Sequence, residues 1–405
     1  MRCVLHIGTE KTGTTVLQDW LYANIGRLSN QRVYLSKMLG ATNNRLFPAF
    51  FRTDLDEWAR EKNIKTIAEK ERYFENFLLN LAREIEKAAV NHDVFLITSE
   101  HLHSRVTTLD DIKKIHKFLS AHFEQTQILC YFRNQADMAL SSYSTELKFT
   151  SSAHLLDFLK KVTPENYYYN FLAIADNWSG IFGRKNCLFR VYDQESFVEA
   201  DIRKDFADAV FPGVDLEQFD FSIGRSNKSL SALQAKIFRL INEHEPYWDL
   251  ANGGVNIGNL RLKREIGGVP SLMKGKLISI DMDLISQLFE KSNKAFLNKY
   301  LKNGQKILRH HGIEGPDEQM SLTDVEEIVQ DVAEFFIVRM KNQSSLHDHD
   351  ADTLRDIAIR LEKFGNVALK DSAALMELAK RARPSGPLIN RKLEYYRKRM
   401  KEGTQ

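Results

Sequence analysis

The sequence 5-LHIGTEKTGTTVLQ-18 joins an apolar run, a short loop and a helical pattern. The apolar run at 3–7 is short enough to be a buried strand. Gly8 and Gly13 bracket a loop with one lysine and several threonines, and from Thr14 the apolar residues recur three and four positions apart, as in a helix. Because the loop amides and the helix N-terminus then face the same point, this stretch predicts an anion-binding site.

The loop almost fits the nucleotide-binding pattern GxxxxGK[ST], in which a lysine directly follows the second glycine. In this chain Thr14 occupies that position, and Lys11 lies two residues before Gly13. The loop therefore differs from a nucleoside triphosphate site at the residue that would contact the phosphates. For the loop taken alone, a glycine- and threonine-rich turn without a ligand is the alternative interpretation.

Size and composition are those of an ordinary globular protein. With 405 residues the chain can form a large α/β domain and an appendage. A formal net charge of +3 is small for this length, so we expect no nucleic-acid partner. The cysteines Cys3, Cys130 and Cys187 lie in or beside apolar runs without a CxxC pair, which predicts buried reduced thiols.

Targeting signals are not visible in the sequence. The first predicted strand begins directly after Met1-Arg2, which leaves no room for a signal peptide. No apolar run reaches 18 residues, so we expect no integral membrane segment. These observations predict a cytoplasmic protein.

Unbroken apolar runs predict further strands, and they alternate with helical patterns. The runs lie at 93–98, 126–132 and 186–192. This alternation predicts a three-layer α/β fold with a central parallel sheet. In such sheets ligands lie beyond the carboxyl ends of the strands, so we expect Gly8, Gly13, Glu100 and Arg133 to converge there.

Other parts of the chain have weaker patterns. We predict an irregular segment at 27–62, one long helix at 65–90, two helices within 152–182, a glycine-rich loop at 251–276 and a helix at 281–302. The aromatic residues of the 27–62 segment are interpreted as a core patch, with an acceptor cleft as the alternative. For Tyr167–Tyr169, packing is the first interpretation, and stacking on adenine or a sugar is the alternative.

A second motif lies where the third predicted strand ends. Arg133 follows that strand, and Ser141 comes eight positions later, two turns into the next predicted helix. Arginine offers a fork of donors to a phosphate, and the hydroxyl can reach the same group. An arginine that only pairs with Asp137 is the alternative, but the agreement of two motifs counts for more than either one.

Together the two motifs resemble those of the prokaryotic type of sulfotransferases that use 3′-phosphoadenosine 5′-phosphosulfate (PAPS). The resemblance covers roughly 1–305 and implies a P-loop-type fold. It also implies a set of cofactor-binding residues: Lys11, Thr12, Gly13, Thr14 and Thr15 for the phosphosulfate, Arg133 and Ser141 for the 3′-phosphate, and Asn227 and Ser229 near the cofactor. Helix capping explains Ser229 equally well.

The resemblance also implies an activity, which is transfer of the sulfuryl group from PAPS to an acceptor hydroxyl. Adenosine 3′,5′-bisphosphate (PAP) is then the product, and no metal is required. Lys11 would neutralise the leaving oxygen, and Glu100 is the candidate base, with His101 and His103 as competitors. A structural Glu100 in an ion pair is the alternative. We expect a carbohydrate acceptor, while lipid, peptide and phenolic acceptors stay open.

The predicted domains are a sulfotransferase domain at 1–312 and a helical C-terminal extension at 317–405. The extension has helical patterns at about 321–341, 352–364, 369–382 and 388–400 and faintly resembles a tetratricopeptide hairpin; we expect it to contact a partner or a second copy. A P-loop kinase or ATPase is disfavoured, because position 14 lacks lysine and no strand ends in an aspartate for magnesium. A non-catalytic PAP-binding adaptor is the remaining alternative.

Overall fold

Five parallel strands form the central sheet of the computed structural model. The structure describes residues 1–222, 229–249, 254–269, 272, 282–301, 332, 346–362 and 369–402. The strands are β1 (Arg2–His6), β2 (Val33–Leu35), β3 (Val94–Thr98), β4 (Thr126–Phe132) and β5 (Cys187–Val191), in the order β2-β3-β1-β4-β5. The predicted α/β class with a parallel sheet is confirmed.

Strand β1 is the centre of the sheet. It pairs with β3 on one side and with β4 on the other, and its residues Cys3, Val4 and Leu5 are fully buried. The chain passes from β3 to β4 across β1, so the strand order reverses there. In open α/β sheets, this reversal leaves a crevice at the carboxyl ends of the strands, where ligands bind.

The described chain also contains α-helices, which belong to two separate units. They are α1 (Thr14–Ala23), α2 (Ile25–Asn30), α3 (Leu46–Phe51), α4 (Glu57–Glu61), α5 (Ile67–Tyr73), α6 (Phe77–Ala89), α7 (His101–Arg105), α8 (Leu109–His122), α9 (Gln135–Lys148), α10 (Leu155–Leu159), α11 (Phe171–Phe182), α12 (Ile202–Val210), α13 (Ala232–His244), α14 (Ile257–Gly267), α15 (Met282–Leu288), α16 (Glu290–Tyr300), α17 (Asp348–Leu361), α18 (Leu369–Ala382) and α19 (Pro387–Glu402). Short strands also occur at Trp248–Asp249 and Gly254–Val255, and a 3₁₀ helix at Tyr167–Tyr169.

Several sequence predictions of local structure were wrong. The segment 27–62 is not irregular, because it contains β2, α3 and α4 and most of α2. Its strand has only three residues, too few for a recognisable pattern. The single helix predicted at 65–90 is two helices, α5 and α6, and α5 has its own capping box of Thr66 and Glu69. The apolar residues keep their helical spacing across the break between α5 and α6, so the sequence pattern does not reveal this break.

Two further segments differ from their predictions. The described part of the predicted loop at 251–276 contains α14, which Asn256 caps by accepting hydrogen bonds from the amides of Gly258 and Asn259. The loop had been predicted because glycines lie at the two ends of this helix. The helix predicted at 281–302 is two helices, α15 and α16.

The aromatic residues of the 27–62 segment belong to the packed core. Phe47, Phe51 and Trp58 are buried, and the ring of Phe50 stacks on that of Phe77 with centroids 5.0 Å apart. The core-patch interpretation therefore describes this cluster. Cys3, Cys130 and Cys187 are all free and buried, as predicted.

The chain divides into two units. The first contains the five-stranded sheet, α1–α12, α15 and α16, and the second contains α13, α14 and α17–α19. Within the second unit, α17, α18 and α19 share a core in which Leu354, Leu375 and Tyr396 are fully buried. The predicted boundary at 312–316 and nearly all of the helix predicted at 321–341 lie outside the described residues. Among the described helices, none has the length and hydrophobicity to cross a membrane.

A buried polar network ties β4 and β5 to α12. The Asp205 carboxylate accepts hydrogen bonds from the Tyr131 hydroxyl at 2.7 Å and from the Arg190 guanidinium at 2.6 Å. Asp205 is 1% exposed, so its charge depends on these two donors instead of on water.

We expect Asp205→Ala to lower the free energy of unfolding by about 3 kcal/mol, because it leaves the Tyr131 hydroxyl unpaired and the Arg190 charge uncompensated. Urea denaturation measures this change. Asp208→Ala, which removes an exposed carboxylate from the same helix, serves as the control and should change stability by less than about 0.5 kcal/mol. Equal effects of the two substitutions would contradict a stabilising network at Asp205.

Candidate functional site

The loop between β1 and α1 is held at the carboxyl edge of the sheet by hydrogen bonds from both neighbouring strands. The amide of Ile7 donates to the Leu129 carbonyl at 2.9 Å, and the amide of Ser99 donates to the His6 carbonyl at 3.0 Å. Farther along the loop, the Thr9 hydroxyl donates to the Tyr131 carbonyl at 2.8 Å. The loop is therefore attached to β4 over its first half.

The second half of the loop turns tightly into α1. The Thr12 hydroxyl donates back to the Thr9 carbonyl at 2.6 Å. Gly13 has φ +70°, and a Cβ there would lie 3.2 Å from the Tyr192 ring. Lys11 also has a positive φ, +69°, which is uncommon for a non-glycine residue. In the first turn of α1, Thr14 is buried and Thr15 is exposed.

The Lys11 side chain extends from the loop to α9. Its ammonium donates to the Thr145 hydroxyl at 2.7 Å. Burial lowers the pKa of Lys11, while the charge of Glu10 acts in the opposite direction and the charge of Lys148 adds to the lowering. Thr145 lies one helical turn after Ser141, which is half-buried in the same helix.

Arg133 connects the second motif to the loop. Its guanidinium donates to the Lys11 carbonyl at 3.2 Å and lies over the Tyr192 ring, 5.6 Å from the centroid. It is also 3.9 Å from the Asp137 carboxylate, so the pairing considered as an alternative is present, although it is long. The structure therefore brings the two sequence motifs into direct contact.

Glu100 lies at the end of β3, directly before α7. Its carboxylate accepts a hydrogen bond from the Gln18 amide at 2.7 Å and is 3.9 Å from Nε2 of His101. Burial raises the pKa of Glu100, and the charge of Glu10 raises it further, against the lowering effect of the hydrogen bond from Gln18. The side chain is 16% exposed.

Both ring nitrogens of His103 form hydrogen bonds with backbone groups. Its Nδ1 accepts from the Glu10 amide at 3.3 Å, which assigns the proton to Nε2, and Nε2 donates to the Tyr168 carbonyl at 2.9 Å. Burial lowers the pKa of His103. Burial also lowers the pKa of the neighbouring His101, to about 4. A neutral His103 with both nitrogens bonded has no free lone pair with which to accept a proton from a substrate.

Glu10, the loop residue before Lys11, contacts Tyr168. Its carboxylate accepts a hydrogen bond from the Tyr168 hydroxyl at 2.8 Å. Burial raises the pKa of Glu10, but the hydrogen bond from Tyr168 and the charge of Arg105 act in the opposite direction, and the net shift is downward. Glu10 therefore carries a stable negative charge between the loop and α7.

The third predicted group of site residues is only partly described. Asn227 lies outside the described residues, and Ser229 is exposed. The predicted N-cap at Ser229 was wrong: the cap of α13 is Ser231, whose hydroxyl accepts from the amide of Gln234 in a capping box. Ser229 lies two positions before this cap and is therefore outside the helix.

Sequence reasoning missed Gln18, Thr145 and Tyr192 in the crevice, and it named Tyr168 without its contact to Glu10. Gln18 and Thr145 each lie one helical turn after a predicted site residue, on α1 and α9, and this spacing was the available signal. Tyr192 follows β5, where the rule for strand ends could have found it. The contact of Tyr168 with Glu10 depends on chain segments 158 residues apart, and the sequence contains no signal for it.

The crevice combines anion-binding groups with a basic carboxylate. Backbone amides of the loop and the N-terminus of α1 adjoin Lys11 and Arg133, while Glu100 lies on the β3 side. Among the described residues, no group of three His, Cys, Asp or Glu side chains could hold a metal ion. The arrangement suits binding of a phosphate-like group and removal of a proton nearby.

Comparison with known proteins yields one distant relative. The chain is 26% identical over 212 residues to an uncharacterized protein of Archaeoglobus fulgidus. The match covers 51% of this chain and 54% of that protein, so the chain spans about half the length of the relative it matches. No protein-family model matches the chain, and no solved structure does.

Proposed function

We propose that the chain is a PAPS-dependent sulfotransferase that acts on a carbohydrate hydroxyl. The observation that carries the proposal is the hydrogen bond from Arg133 to the Lys11 carbonyl, because it joins the two sequence motifs at one edge of the sheet. The proposal includes a three-layer P-loop-type fold for 1–312, a helical extension at 317–405 that contacts a partner or a second copy, and a cytoplasmic location.

The cofactor would reach from the loop between β1 and α1 to Arg133 and Ser141. Lys11, Thr12, Gly13, Thr14 and Thr15 hold the 5′-phosphosulfate, where the loop amides and the α1 N-terminus supply donors. Arg133 and Ser141 hold the 3′-phosphate, with Asn227 and Ser229 nearby. Two cationic side chains thus face the two anionic groups of PAPS.

Transfer then proceeds in line. Glu100 accepts the proton of the acceptor hydroxyl, the acceptor oxygen forms a bond to sulfur, and the bond from sulfur to the 5′-phosphate oxygen of PAP breaks. Charge grows on that leaving oxygen, and Lys11 neutralises it. A pKa raised by burial makes Glu100 a stronger base, whereas His103 has no free nitrogen, which favours Glu100.

The first prediction concerns the two cations. Lys11→Ala should lower kcat for sulfate transfer by about 10²- to 10³-fold, because it removes one donor to the leaving oxygen. Arg133→Ala should weaken PAP binding by about 10- to 100-fold, the effect of losing a hydrogen bond to a charged group. Transfer of labelled sulfate and titration with PAP measure these effects.

Lys62→Ala removes an exposed cation and serves as the control for both variants. Unchanged turnover in Lys11→Ala, or unchanged PAP affinity in Arg133→Ala, would remove the corresponding role. Binding of magnesium and ATP by a wild-type protein that ignores PAP would replace the whole proposal by a P-loop kinase or ATPase.

The second prediction concerns the base. Glu100→Gln should lower kcat by about 10²- to 10⁴-fold and leave PAP affinity within about twofold, since the amide keeps the shape of the side chain but cannot accept the proton. Single-turnover transfer and PAP titration separate the two effects. If the rate does not change, the base is another group, with His101 next in position.

The third prediction uses the charge of Glu10. That charge raises the pKa of Glu100 and the pKa of Lys11, so its removal lowers both. Glu10→Gln should therefore move the acidic and basic limbs of the pH profile of kcat/KM to lower pH. Glu61→Gln, which removes an exposed carboxylate, should leave the profile in place. A shift of either limb to higher pH in Glu10→Gln would disprove this coupling.

A further inference from the structure

The first turns of α1 place a buried glutamine beside the candidate base. Gln18 lies four positions after Thr14, so the two side chains are neighbours on one face of the helix. Gln18 is 2% exposed, and the residue before it, Leu17, belongs to the hydrophobic core. Burial of a side-chain amide is unfavourable unless the amide is hydrogen-bonded. The amide of Gln18 finds its partner in Oε2 of Glu100, to which it donates at 2.7 Å.

The backbone of Glu100 is fixed without a contribution from Gln18. The amide of Ser99 donates to the His6 carbonyl at 3.0 Å, and the Glu100 carbonyl accepts from the amide of His103 at 3.1 Å in the first turn of α7. The glutamate side chain can still adopt several rotamers on this backbone. A base must lie within hydrogen-bond reach of the proton that it removes. The contacts of the carboxylate therefore have to set its direction.

The two oxygens of the Glu100 carboxylate have different neighbours. Oε2 accepts the hydrogen bond from Gln18, whereas Oε1 lies 3.9 Å from Nε2 of His101, which is too far for a hydrogen bond. Asn43 also forms a hydrogen bond with the carboxylate. Among the groups that lower the pKa of Glu100, Gln18 has the largest effect, ahead of the backbone amide of Glu100 itself and of Asn43.

The surroundings of Glu100 on balance favour its neutral form. Burial and the charge of Glu10 both raise the pKa of Glu100, and the net shift is upward. Lys11, on the same loop as Glu10, carries the opposite charge, and the charge of Glu100 raises the pKa of Lys11. Burial lowers the pKa of His101 to about 4, so this neighbour is neutral near pH 7. The hydrogen bond from Gln18 favours the ionised carboxylate, which is the form that can accept a proton.

We infer that Gln18 is a positioning residue, which holds the Glu100 carboxylate in its ionised form and in a fixed place relative to the loop between β1 and α1. The inference rests on the proposed function and adds a residue that acts on the reaction through Glu100. A carboxylate has about four lone-pair sites, so the bonds from Gln18 and Asn43 leave lone pairs for the acceptor hydroxyl. Because α1 carries both Thr14 and Gln18, the helix that adjoins the phosphosulfate also sets the position of the base.

The experiment uses Gln18→Met, which removes the donor and keeps an unbranched side chain of similar length. We expect the pKa of Glu100 to rise by about one to two pH units, the effect of losing a hydrogen bond to a charged group. The acidic limb of the pH profile of kcat/KM should move to higher pH with it, while PAP affinity stays within about twofold. ¹³C NMR of protein labelled at the glutamate carboxyls measures the pKa, and Glu100→Gln identifies the signal.

A double-mutant cycle separates positioning from structural support. Gln18→Met should lower kcat for sulfate transfer by about 10-fold when Glu100 is present and should have no further effect in Glu100→Gln. Gln127→Met is the matched control, because it removes a hydrogen-bond partner of Arg2 near the amino end of β4, away from the crevice. This control should leave the pKa of Glu100 and the pH profile unchanged. Gln18→Leu repeats the test if Gln18→Met does not fold.

An unchanged pKa of Glu100 in Gln18→Met, or equal losses of kcat with and without the Glu100 carboxylate, would overturn the inference and leave the sulfotransferase proposal intact. A wild type that neither binds PAP nor transfers sulfate would instead overturn that proposal. The NMR titration needs neither PAPS nor turnover, so it would still decide whether Gln18 controls the ionisation of Glu100.

Discussion

The pairing of β1 with a strand on each side is the constraint on which the rest of the site depends. The same pairing continues past the end of the strand, where the amide of Ile7 bonds to β4 and the His6 carbonyl accepts from Ser99 after β3. Parallel strands end at one edge, so the segments that follow β3 and β4 are brought to the loop after β1. Glu100 and Arg133 reach the same crevice for this reason, although 33 positions separate them in the chain.

Burial at this edge changes the protonation of the neighbouring groups, and Glu10 modifies the result. Burial lowers the pKa of Lys11 and raises that of Glu100, which favours the neutral form of each. The ionised Glu10, which accepts a hydrogen bond from Tyr168, counteracts the effect on the lysine and increases the effect on the glutamate. A single carboxylate thus favours the charged form of Lys11 and the neutral form of Glu100.

The sequence predicted the parts of the fold that have regular patterns over enough residues. The unbroken apolar runs of β1, β3, β4 and β5 were all found, and with them the strand ends at which Lys11, Glu100 and Arg133 are located. Strand β2 was missed because three residues do not make a pattern. The break between α5 and α6 was missed because the apolar spacing continues through it, and Ser231 was missed as a cap because Ser229 also fits.

The sequence by itself determined the α/β class and the position of the motifs around Lys11 and Arg133 at the ends of strands. Those features depend on local periodicity and on residue types within a few positions. Only the tertiary structure decided that both ring nitrogens of His103 bond to backbone groups and that Gln18 donates to Glu100. These contacts join residues that lie between 65 and 93 positions apart in the chain, and a local sequence pattern cannot predict contacts over such a separation.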